Sequence, residues 1–112
     1  MKYNDQENLR EITEMTFEIQ KNSKEIIIEL EGRLDTTTAP DLSKTITEDI
    51  ADTENLVLNF KKLEYISSAG LRVLLAAQKK MQKKGTMKLT NVCKDVMEVF
   101  EMTGFSDILT IA

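Results

Sequence analysis

Histidine and tryptophan are missing from all 112 residues; cysteine and proline occur once each, glycine four times. Each scarcity excludes something. Without imidazole there is no Ser-His-Asp triad and no histidine-ligated metal. The single thiol, Cys93, makes neither an internal disulfide nor a clustered thiolate zinc site, and it suits a reducing compartment. The few glycines form no G-x-x-x-x-G-K-S/T loop and no G-x-G-x-x-G fingerprint. No apolar run nears the roughly 20 residues of a membrane-spanning helix, and the opening MKYNDQENLR lacks a secretory pattern. Lys and Arg, 15 together, are outnumbered by 19 Asp and Glu, for a net charge of −4. That balance argues against sequence-independent binding to nucleic acid, which needs a dense basic surface. The expectation is a cytoplasmic, non-enzymatic protein without metal or cofactor, with no direct contact to nucleic acid and none to membrane.

What is present reads as one globular domain, with 41% hydrophobic and 30% charged residues. Residues 1–13 form a polar arm. Met15, Phe17 and Ile19 alternate with polar neighbours, the period of a half-buried strand, and KNSK turns the chain into a second strand with Ile26, Ile28 and Leu30 on one face. Gly32 and the Asp-Thr cluster end that strand, and Thr38 or a neighbour caps a helix beginning near Pro40 with Leu42, Ile46 and Ile50 as its stripe. NLVLNF, residues 55–60, is a continuous apolar run, as in a parallel strand covered on both faces. Leu71, Leu74, Leu75 and Gln78 then share a helix face, with Lys79, Lys80, Lys83 and Lys84 at its end, where the helix dipole favours cations. TMKLTN is a short strand, with Met87 and Leu89 inward. A helix with Val92, Val96, Val99 and Phe100 on one side runs to Gly104, and DILTIA is a last strand. The predicted order is β-β-α-β-α-β-α-β, an α/β domain with a mixed sheet and crossover helices.

The stretch YISSAGLRVLL, residues 65–75, places two hydroxyls where a buried strand gives way to a helix. Ser68 can be an N-cap, contributing about 1 kcal/mol. The same position also suits a phosphate, because a helix N-terminus offers unpaired N–H groups and positive partial charge. On that reading Gly70 keeps the approach open to another protein's active site. Asp35 with Thr36, Thr37 and Thr38 likewise reads either as a capping turn or as part of a binding surface. Cys93 is expected to be inert, and the six methionines to be core.

LVLNFKKLEYISSAGLRVLL resembles the hallmark of STAS domains, specifically bacterial anti-sigma factor antagonists, in which Asp-Ser-Ser/Thr-Gly-Leu/Ile opens a helix after a buried strand. GRLDTTTAPDL and DVMEVFEMTGFSDIL are similar to the family's second and third motifs, and the resemblance covers residues 14–112. It implies a binding protein whose unphosphorylated form captures an anti-sigma factor that is also a serine kinase, with ATP bound by that partner, and so frees a sigma factor. Phosphorylation then releases it and a serine phosphatase restores it. The family's acceptor lies two residues before the motif glycine, which gives Ser68; Asp35 matches the family's aspartate beside it. The implied partner-binding face comprises Asp35, Thr36, Thr37, Ser67, Ala69, Gly70, Leu71 and Arg72. Ser67 stands where the family commonly has Asp, and Ala69 where a second Ser or Thr is common. The alternative is a non-switching STAS scaffold or regulatory subunit of a larger complex, with Ser68 only a cap.

Overall fold

The computed structural model describes residues 16–112 apart from Ser23 and Ala51. The expected arm over residues 1–13, Met15 and the side chain of Phe17 lie outside the described residues. Strands β1 (Thr16–Lys21) and β2 (Glu25–Leu34) lead to helix α1 (Ala39–Asp49), then β3 (Asn55–Ile66), α2 (Ser68–Gln82), β4 (Thr86–Thr90) and α3 (Lys94–Thr103). The sheet order is β1-β2-β3-β4, with β1 antiparallel to β2 and the other two pairs parallel. Each parallel pair is joined through a helix, as parallel strands require.

Alternation decides which face is covered. Ile26, Ile28, Leu30, Leu56, Leu58, Phe60, Met87 and Leu89 are buried in one cluster with Leu42, Ile46, Leu74, Met81, Val96 and Phe100 from the three helices. The intervening residues Ile27, Glu29, Val57 and Asn59 remain half-buried. NLVLNF is therefore covered on one face, contrary to the two-sided cover its apolar run suggests. Val57 pairs with Ile27 on the other face, so those two side chains share cover there. Ile19 is more exposed than its alternation predicts, at 42%, because it sits on the edge strand.

The second strand does not stop at Gly32. It runs on to Leu34 with Gly32 at φ 103° and buried, a backbone region that glycine enters without steric cost. Opposite it, β3 is bulged twice: Glu29 to Glu31 spans Asn59 to Lys62, and Gly32 to Arg33 spans Leu63 to Tyr65. Each bulge inserts one residue and moves the inward position by one, so the buried residues run Phe60, Leu63, Ile66. That spacing of three hides the second half of the strand from a search for alternation.

α3 ends as expected, with Gly104 in the left-handed region at φ 81°. The last strand is reduced to a single parallel bridge between Ile111 and Leu89. The Phe105 carbonyl accepts the N–H groups of Ile108 and Leu109 at 3.0 and 2.8 Å, closing a 3₁₀ turn over Phe105–Asp107. Around that bridge the Leu89 N–H donates to the Thr110 carbonyl and the Ala112 N–H to the Leu89 carbonyl, both at 2.9 Å.

Candidate functional site

Leu34 and Ile66 are the last, mutually paired residues of β2 and β3, and the Ser67 N–H donates to the Leu34 carbonyl at 2.9 Å. The two turns that follow, residues 35–38 and 67–70, therefore lie side by side at the carboxyl ends of parallel strands. In open α/β sheets this is where binding sites gather.

The first turn is closed on itself. Asp35 Oδ1 accepts the backbone N–H groups of Thr37 at 3.0 Å and Thr38 at 3.2 Å. Thr38 is buried; its hydroxyl donates to the Arg33 carbonyl at 2.7 Å and accepts from the Asp35 N–H at 2.9 Å. One Asp35 carboxylate oxygen thus closes the turn ahead of α1, whereas Thr38, at the helix's N-cap position, makes no side-chain capping bond, contrary to expectation. The other, Oδ2, lies 3.8 Å from Arg33 Nε, and the Arg33 guanidinium stacks 4.1 Å from the centre of the Tyr65 ring. Thr36 and Thr37 are exposed and Asp35 is half-buried.

In the second turn the roles of the two serines shift by one residue. Ser67, extended at φ −105° and ψ 177°, holds the N-cap position of α2, so Ser68 is not the cap but the first helical residue. The Ser67 hydroxyl makes no capping bond; its Oγ is buried without a hydrogen-bond partner. Ser68 is exposed, and its hydroxyl has no hydrogen bond among the described residues. The first intrahelical N–H is that of Leu71, donated to Ser67 O at 3.0 Å, and the first turn of α2 holds no acidic residue. An anion on Ser68 would meet a helix N-terminus with no carboxylate from its own first turn.

Gly70 is buried, and the reason for glycine is internal. A Cβ there would come within 2.7 Å of Leu34 Cγ and 2.9 Å of Ile66 Cγ1. The glycine lets α2 approach the ends of β2 and β3, rather than opening a path for another protein. Leu71 is also buried and Ala69 packs half-buried against the core, so Gly70 and Leu71 present no side-chain surface to a partner. Arg72 is exposed, with no ion pair among the described residues. The exposed members of the expected face are Thr36, Thr37, Ser68 and Arg72, with Asp35 and Ser67 half-buried between them. Arg33 and Tyr65 lie within the quoted motifs but join them with no role assigned there, because only the strand register sets them opposite each other.

A profile of the STAS domain matches residues 16–112. The chain belongs to the STAS domain family. It is 27% identical over 96 residues to the anti-sigma-B factor antagonist of Bacillus subtilis, covering 85% of this chain and 88% of that protein. With the anti-sigma F factor antagonist of Paenibacillus polymyxa it shares 30% identity over 100 residues, 87% of this chain and 86% of the relative. Among solved structures, this STAS domain has the fold of the Bacillus cell fate determinant SpoIIAA. The unphosphorylated form superposes with a TM-score of 0.70 at 19% identity, covering 87% of both chains. The phosphorylated form gives 0.69 at 21% identity, covering 87% of this chain and 91% of that one. Among the described residues of this STAS domain no helix is long and apolar enough to cross a membrane.

Proposed function

We propose that this STAS domain is a cytoplasmic anti-sigma factor antagonist switched by phosphorylation of Ser68. In the unphosphorylated state, Asp35, Thr36, Thr37, Ser67, Ser68 and Arg72 dock an anti-sigma factor with serine kinase activity, and a sigma factor is freed. The kinase transfers the terminal phosphoryl group of its own ATP to the Ser68 hydroxyl, ADP leaves, and the modified surface no longer fits. A serine phosphatase reverses the step. One observation carries the reading: Ser68 is an exposed hydroxyl at the first position of α2, committed to no cap. Two kinds of likeness support it. The relatives named above are antagonists of anti-sigma factors, and SpoIIAA, of the same fold, exists in a phosphorylated form.

Phosphorylation brings about −1.5 to −2 charges. In the free domain the helix dipole favours that charge by roughly 0.3–1 kcal/mol, so the fold is retained. At a packed interface the same group must be desolvated, at several kcal/mol if unpaired. The test is mass spectrometry after incubation with ATP and the cognate anti-sigma factor. Label on Ser68 is the expected result; label on Ser67, or on neither serine, overturns the assignment.

A further inference from the structure

α2 spans 15 residues, so its end lies about 22 Å from Ser68. Lysine accumulates there. Lys79, Lys80, Lys83 and Lys84, four of the 15 basic residues in an acidic chain, line a groove of about 420 Å³ together with Thr47 and Ile50 from the end of α1. That volume falls within the range of small-molecule sites, about 300–1,000 Å³. Ile50 is buried and supplies an apolar floor, and lysine stems extend such a surface while their ammonium groups stay in water. One wall is held in place: Lys80 Nζ donates to Thr47 Oγ1 at 3.3 Å, and Lys84 Nζ donates to the Ile50 carbonyl. The ammonium groups of Lys79 and Lys83 make no hydrogen bond or ion pair among the described residues, and no described carboxylate lines the groove.

A helix C-terminus favours cations by roughly 0.3–1 kcal/mol. Lysines three or four residues apart, however, repel one another, by roughly 0.2–0.5 kcal/mol per pair. Lys79 and Lys80 stand in the last turn of α2, four and three residues before the C-cap Lys83, and Lys84 follows directly. The dipole accounts for one or two lysines here, not for four around an apolar floor. A bound anion would relieve the repulsion.

We propose that this groove binds a small amphiphilic anion, an apolar body ending in a carboxylate or phosphate. The body lies along Ile50 and the lysine stems, and the head sits between the ammonium groups of Lys79 and Lys83. The site is independent of Ser68 and of the antagonist reading.

The full chain, followed by amide NMR, is titrated with decanoate below its micellar concentration, with decyl phosphate, with inorganic phosphate and with decanol. Sedimentation with phosphatidylglycerol vesicles separates a free amphiphile from a membrane surface. Decanoate or decyl phosphate should produce saturable shifts at Thr47, Ile50, Lys79 and Lys83 that phosphate or decanol alone do not reproduce. The double variant Lys79→Glu/Lys83→Glu should lose at least tenfold in affinity. Thr47→Trp, which fills the groove from an exposed position without changing charge, should lose as much. No saturable shift, an equal response to phosphate alone, undiminished affinity in both variants, or binding to vesicles without binding of the monomeric amphiphile would each overturn the site.

Discussion

At the β2–α1 turn the Asp35 carboxylate and the Thr38 hydroxyl are occupied by the fold. Asp35 Oδ1 holds two amides, and the buried Thr38 hydroxyl bridges the Arg33 carbonyl and the Asp35 amide. At the neighbouring β3–α2 turn the hydroxyls are left over: Ser67 Oγ is buried without a partner, and Ser68 stands exposed without one among the described residues. Both turns open a helix after a parallel strand, yet one is rigidified by side chains and the other is stitched only by backbone, through Ser67 N–H to Leu34 and Leu71 N–H to Ser67. A group that serves the fold is costly to modify, because the bonds it makes must be broken first. A group the fold does not use can be modified with the structure intact. On the function proposed above, the first turn positions the docking face and the second carries the switch.

The contrast can be broken most sharply at Ser68. Its phosphorylation should lower affinity for the anti-sigma partner at least a hundredfold, about 2.8 kcal/mol, by calorimetry, with Ser68→Asp reproducing part of the loss. A modified domain that binds undiminished would remove the switch from this turn.

On the other turn, Thr38→Val keeps the shape but removes the partner of the Arg33 carbonyl and the Asp35 amide in a part-buried position. Urea denaturation should show a loss of about 1–3 kcal/mol.

Asp35→Asn separates the two duties of that side chain. The amide oxygen preserves the turn while the charge beside Arg33 is lost. Stability should stay within about 1 kcal/mol, the range of an exposed ion pair, while partner affinity falls about tenfold, or 1.4 kcal/mol. Equal affinity in a folded variant would exclude Asp35 from the docking face.

The smallest effects belong to the unbonded serines. Ser67→Ala and Ser68→Ala should each change stability by no more than about 0.5 kcal/mol, with Ser67→Ala neutral or slightly stabilising because its buried hydroxyl is unpartnered. Ser68→Ala should still bind the partner and never be released by ATP. A large loss of stability in either would mean that the hydroxyl serves the fold after all.

Much of this was readable from local pattern. The alternation of Ile26, Ile28 and Leu30, the stripe of Leu42, Ile46 and Ile50, and the glycine that ends α3 all act over a few residues, and all hold in the structure. Ser67 and Ser68 were less legible. Either can precede a helix, and the choice turned on where β3 ends, which depends on two bulges set by pairing with β2. The role of Gly70 was hidden in the same way, since its neighbours Leu34 and Ile66 come from two strands. The final strand shrank to one bridge because the turn after Gly104 includes Asp107 and engages the N–H groups of Ile108 and Leu109.

Sequence alone determined the kind and order of the elements up to α3, the place of the two turns, and the absence of imidazole chemistry, because helix and strand periods and residue types are properties of neighbours along the chain. Tertiary structure decided which polar groups remain free. Whether a hydroxyl is bonded, buried or open depends on partners brought from another strand, and a one-residue shift in register between β2 and β3 would exchange the parts played by Ser67 and Ser68.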